Sequence, residues 1–209
     1  STWKGRQVAM DQQSHDERFS HPKYTIRQKV LTITGASFHV IDPNGNTVFF
    51  SRLKAFKLKE DIRLFTDQRM REELLRISAR KMIDFAATYD VHDSVEDVLL
   101  GSLRRRGMKS MIRDEWVIFD EMSREIARIH EDSTVMALLR RGHDVLSAIF
   151  PQKYDVITPE DKTIATYRQN YNPIVHKLEV DFSRDEEMVL DPRLGLAAAI
   201  LVCGIEGRQ

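Results

Sequence analysis

The sequence predicts a closed antiparallel β-barrel of about twelve strands around a central apolar C-terminal helix, on three observations. From Tyr24 onward apolar and polar residues alternate with a period of two, as they do in strands buried on one face. A unit of strand, aspartate, turn and returning strand recurs about every 26 residues. The last apolar stretch has no polar side at all, so as a helix it must be covered all round.

The first 22 residues read as a polar, flexible arm, Asp11 to Asp16 being almost wholly hydrophilic, and residues 23–209 as the barrel domain. Tyr24, Ile26, Gln28 and Val30 open the alternation, and Phe38 and Val40 continue it in the next strand. Asp42-Pro43-Asn44-Gly45 then supplies a hairpin turn, with proline fixing φ and glycine accepting a positive φ. Thr47 to Phe50 returns as a strand. The same unit follows in Ile62–Asp67 with Leu74–Ile77, in Tyr89–Asp93 with Val98–Gly101, and in Trp116–Asp120 with Ile126–Ile129. Asp42, Asp67, Asp93 and Asp120 are best read as turn residues whose carboxylates accept from nearby backbone N–H groups. A displaced copy comprises Tyr154–Thr158 and Thr163–Tyr167. The displacement comes from an insertion near 133–150 with helical spacing (Val135, Leu138, Leu139, Val145, Leu146, Ile149), which Gly142 can break in two.

After an alternating run from His176 to Phe182, Asp191-Pro192 opens the terminal helix as N-cap and first helical residue. Leu194 and the residues from Leu196 to Cys203 follow, and Gly204 is placed to end it. The chain before it is a meander of short strands, so the cover must be sheet. An eight-stranded barrel is filled by its own side chains; a wider one has room for a helix. The apolar stretch is well short of the ~20 residues needed to cross a bilayer, so the chain is expected not to span one.

Among 209 residues, 32 basic side chains balance 32 acidic ones, which argues against nucleic acid as a partner and confines any anion site to a local cluster. The single cysteine, Cys203, has no internal disulfide partner, and no apolar signal segment opens the chain. A cytoplasmic protein, at most peripheral to a membrane, is the expectation.

Three stretches together resemble the tubby C-terminal-like barrels, which include the LURP-one-related proteins and the phospholipid scramblases. They are Tyr24–Lys29 with its hairpin, Gly101–Arg106 through Arg113–Asp120, and His176–Phe182 followed by Asp191–Ile200. The resemblance covers Tyr24 to the C-terminus. It implies a twelve-stranded barrel around a central helix and a tendency to bind membrane phospholipids, phosphoinositides in the tubby branch. It implies no agreed enzymatic activity, and fold does not carry function by itself.

The densest basic cluster is Arg104-Arg105-Arg106 with Lys109 and Arg113, a candidate lipid or phosphate site because guanidinium forks bind phosphate oxygens in pairs. The competing reading is a hairpin with solvated charges. In a strand, alternate arginines face opposite sides, so the three share one site only if the turn reorients them. A looser set is Arg52, Lys54, Lys57 and Lys59. Asp181, Asp185, Glu186, Glu187 and Asp191 lie where scramblases carry a proposed calcium segment. An EF-hand frame started at Asp181 puts Glu186 and Pro192 where glycine and a bidentate glutamate belong. No zinc spacing, glycine-rich phosphate loop or nucleophile elbow occurs, so neither metal, cofactor nor catalytic residue is assigned and a non-enzyme is expected. The functional expectation is a phospholipid- or phosphoinositide-binding, membrane-associated module. The alternatives are a scaffold acting through protein partners, with the N-terminal arm as docking segment, and lipid scrambling itself.

Overall fold

The computed structural model describes residues 16–31, 35–54, 61–80, 87–106, 115–131, 152–170 and 176–206, with the side chains at 30, 31, 53, 54, 205 and 206 excepted. The strands are β1 (Lys23–Leu31), β2 (Gly35–Ile41), β3 (Thr47–Lys54), β4 (Ile62–Phe65), β5 (Glu73–Ala79) and β6 (Thr88–Asp93) in the first half. The second half adds β7 (Val98–Arg106), β8 (Glu115–Asp120), β9 (Glu125–Glu131), β10 (Lys153–Ile157), β11 (Thr163–Asn170) and β12 (His176–Asp181). All neighbours are antiparallel, and β12 pairs with β1, Tyr24 opposite Val180 and Ile26 opposite Leu178, so the sheet closes on itself. Closure gives every strand a neighbour on both sides, which limits the edge open to another chain.

Five hairpins repeat one local design. Each of β2, β4, β6, β8 and β10 shifts register next to the turn, between Val40 and Ile41, Leu64 and Phe65, Val91 and His92, Ile118 and Phe119, and Val156 and Ile157. The turn aspartates do what their chemistry suggests. Asp42 Oδ1 accepts from the N–H groups of Asn44 and Asn46, Asp67 from Arg69, Asp93 from Val95 and Glu96, and Asp120 from Met122 and Arg124. A left-handed residue follows in each turn: Gly45, Met70, Asp97, Ser123 and Asp161, with Met188 in the connection after β12. The extra residue in one strand and the left-handed corner together let a tight turn match the twist of the sheet.

These turns, and the connection from β12 to the helix, all lie at one barrel end, here the turn end. The other strand connections leave from the opposite end. The short 3-10 turn Glu17–Phe19 packs at the turn end, with Phe19 stacked on Phe49 at 4.4 Å between ring centres and the Tyr24 hydroxyl donating to Arg18 O. The expected insertion near 133–150 lies outside the described residues.

The terminal helix, α1 (Pro192–Glu206), runs up the lumen. From Arg193 to Gly204 every residue is buried. Burial of each leucine, isoleucine and valine contributes roughly 1.5–3 kcal/mol. Asp191 caps the helix, accepting from the Arg193 N–H at 2.8 Å. Gly204 does not end α1, which continues to Glu206. A buried glycine costs about 1 kcal/mol in a helix, a price the enclosing wall outweighs.

The helix and wall are fitted at named places. A Cβ on Gly101 would stand 2.2 Å from the Phe119 carbonyl oxygen and 2.9 Å from Leu194 Cδ2, so β7 passes close to the helix only as glycine. The buried Tyr167 hydroxyl donates to Gly195 O at 2.9 Å. At the mouth, buried Arg193 donates through Nη1 to Asp93 Oδ2 at 2.6 Å and through Nη2 to Asp191 Oδ2 at 2.7 Å. One guanidinium thus ties the helix start to the β6–β7 turn.

Candidate functional site

Alternation decides which charges meet on the outside. In β1 the inward residues Tyr24, Ile26 and Gln28 are buried, which turns Arg27 and Lys29 outward. Ring closure sets Lys177 of β12 beside Arg27, with His39 of β2 on its other side. One row further along, Lys29 faces Ser37, and Ser37 faces Arg52 of β3. Across the four neighbouring strands β12, β1, β2 and β3, spaced about 4.8 Å apart, Lys177, Arg27, Lys29 and Arg52 therefore share one face roughly 14 Å wide, with β2 between them carrying no cation of the set. Among the described residues none of these four cations is ion-paired with a carboxylate. Glu179 borders the face from β12, and its carboxylate accepts from Asn170 Nδ2 at 2.9 Å.

An aromatic floor holds part of this wall in place. Phe50, buried although it points away from the lumen, takes the His39 ring edge-on at 5.1 Å and the Arg52 guanidinium at 5.7 Å from its centre. Burial, helped by the charges of Lys29 and Arg27, holds the His39 imidazole below its ordinary range. At neutral pH the wall's positive charge therefore comes from its lysines and arginines.

The arginine run of β7 is divided by the same alternation. Arg104 and Arg106 point outward, Arg104 lying 5.3 Å over the Phe119 ring and 3.4 Å from Thr88 Oγ1. Arg105 falls on the side of buried Leu103, half-buried, opposite Trp116 in the register and close enough to Tyr89 for its charge to act on that phenol. Arg106 stands opposite Glu115, whose carboxylate also faces His130 Nε2 at 3.3 Å. Lys109 and Arg113 lie outside the described residues, as do Lys57, Lys59 and the Lys54 side chain of the looser set.

A family model described as LURP-one-related matches residues 23–202, nearly the whole barrel. The chain belongs to the LURP-one-related family. Its barrel is accordingly one of the tubby-like kind. A crystal structure of an Arabidopsis thaliana protein is similar at 13% identity and a TM-score of 0.46, covering 93% of this chain and 97% of that one. No curated protein matches the sequence.

In this LURP-one-related barrel the acidic segment before α1 is engaged in local bonds. Asp181 accepts from the Ser183 N–H and pairs with Lys23 at 3.0 Å, and Asp185 accepts from the N–H groups of Val189 and Leu190. Glu187 pairs with Lys162 at 2.7 Å, and Asp191 with Arg193. Among the described residues, no helix is long and apolar enough to cross a membrane, which says nothing of strands.

Sequence reasoning reached Arg52 but missed the rest of the wall. Arg27 and Lys177 are far apart in the chain and become neighbours only when β12 closes on β1. The available signal was weak: cations at the odd positions 27 and 29, out of phase with the buried residues of the same strand.

Proposed function

We propose that this protein is a non-enzymatic, cytoplasmic module that meets the anionic headgroups of phospholipids from the membrane surface. The observation that carries this reading is the wall of Arg27, Lys29, Arg52 and Lys177, four cations without a carboxylate partner among the described residues. Solvated pairs would have cancelled one another. These four leave a local positive field on a chain of zero net charge. Arg104 and Arg106 form a secondary basic pair in this reading, Lys109 and Arg113 remain candidates from the sequence alone, and Arg105 is excluded by its inward position.

Each cation near an anionic leaflet contributes roughly 1 kcal/mol, so four contribute about 4 kcal/mol, or close to a thousandfold in partitioning. Vesicle sedimentation with neutral and anionic phospholipids tests this directly. The protein is expected on anionic vesicles only, and raising salt should release it as screening shortens. Changing Arg27, Lys29, Arg52 and Lys177 together to glutamine should abolish binding. Equal binding to neutral and anionic vesicles rejects the reading.

A further inference from the structure

The turn end of the barrel differs in character from the wall. Met70, Val95, Val98, Met122, Met188 and Val189 are the large apolar side chains that stand exposed among the described residues, Met122 at 68% and Met188 at 63%. All six lie in or beside the turns and the β12–α1 connection, at one end of the barrel. Scattered apolar residues need no explanation, but six that gather at one end among the described residues offer that end as a contact surface.

The backbone sharpens the point. Met70 and Met188 hold the left-handed corner with φ of 53° and 50°, where Gly45 serves in the first hairpin at 86°. Each N–H bonds back to the residue three before it, Gly45 to Asp42, Met70 to Asp67 and Met188 to Asp185. A side chain at such a corner is strained, and an apolar one left in water is doubly unfavourable for the free chain. Neither choice serves the barrel's own stability.

The charge around these tips is opposite to that of the wall. Residues 42–46, 66–72, 94–97, 121–124, 158–162 and 182–191 carry twelve acidic side chains and five basic ones. Arg71, Arg124 and Lys162 are already paired with Asp67, Asp120 and Glu187. An acidic rim would repel an anionic leaflet, so the partner here is not the one proposed for the wall.

We propose that the turn end is a docking surface for a protein segment that displays lysines or arginines around apolar side chains. The methionines supply adaptable apolar contact and the carboxylates a complementary rim. This assigns a place to the protein partner of a membrane scaffold, and it stands whether or not the wall binds lipid.

The test uses the full chain and a fluorescent peptide of about 18 residues, leucine and lysine alternating at helical spacing. A leucine–glutamate peptide and a serine–lysine peptide serve as controls. Only the leucine–lysine peptide is expected to bind. The variant Met70→Ser, Met122→Ser, Met188→Ser should weaken it at least about tenfold. Serine suits the corner, since Ser123 already occupies it in the β8–β9 turn. Glu121→Lys with Glu160→Lys should weaken binding and flatten its salt dependence, while the four-glutamine wall variant should bind the peptide unchanged. Failure of the leucine–lysine peptide to bind overturns the proposal, as does unchanged binding by the triple-serine variant. Vesicle binding that the triple-serine variant loses also overturns it, by assigning the tips to lipid instead.

Discussion

Replacing Arg193 by methionine isolates the contact that seats the helix in the barrel. Asp93 is 3% exposed and accepts from three donors: the Val95 N–H at 2.8 Å, the Glu96 N–H at 2.9 Å and Arg193 Nη1 at 2.6 Å. Methionine keeps much of the arginine stem but leaves the buried carboxylate without its countercharge. Breaking a buried pair from one side costs about 3–5 kcal/mol. In a chain of 209 residues each kcal/mol moves Tm by about 2–4 °C, so the loss is roughly 6–20 °C. Asp93→Asn retains an acceptor for the turn N–H groups, so adding it to Arg193→Met should recover part of the loss. Thermal unfolding by circular dichroism, with urea midpoints beside it, reads both variants. A fall of less than about 2 °C for Arg193→Met refutes the reasoning. So does a double variant no more stable than the single one.

Gly101→Ala should lower Tm by roughly 2–12 °C in the same assay, because its Cβ meets a backbone oxygen that cannot swing aside. Cys203 is 5% exposed and burial pushes its thiol up to about 12, so Ellman's reagent at pH 8 should label it only as fast as the barrel unfolds. Rapid labelling of the native protein contradicts an enclosed helix. Burial acts to raise the Asp120 carboxyl, but the Arg124 N–H and guanidinium and the Met122 N–H together hold it below its ordinary value. The Arg71 guanidinium does the same for Asp67. With folded values depressed, their contribution is complete above the unfolded carboxylate range near pH 4 and is lost as pH falls through the folded values. Urea midpoints should therefore drop below about pH 4, and Asp120→Asn should make that drop shallower.

By itself the sequence determined the strand count, the enclosed helix and the turn chemistry, since each is written in local pattern. Alternation from Tyr24, aspartates at the hairpin corners and a helix without a polar face are consequences of short-range geometry, and all three reappear in the fold. It also foretold that three consecutive arginines cannot share one face, which is how β7 divides them. Where α1 stops was misjudged from Gly204, because packing inside the wall outweighs one glycine's preference. Only the tertiary structure decided which charges become neighbours. Barrel closure sets Lys177 beside Arg27, and the shared direction of the hairpins gathers Met70, Met122 and Met188 at one end. Which residues of distant strands stand side by side is settled only when those strands pair, as β12 does with β1, and a local stretch of sequence does not name its partner.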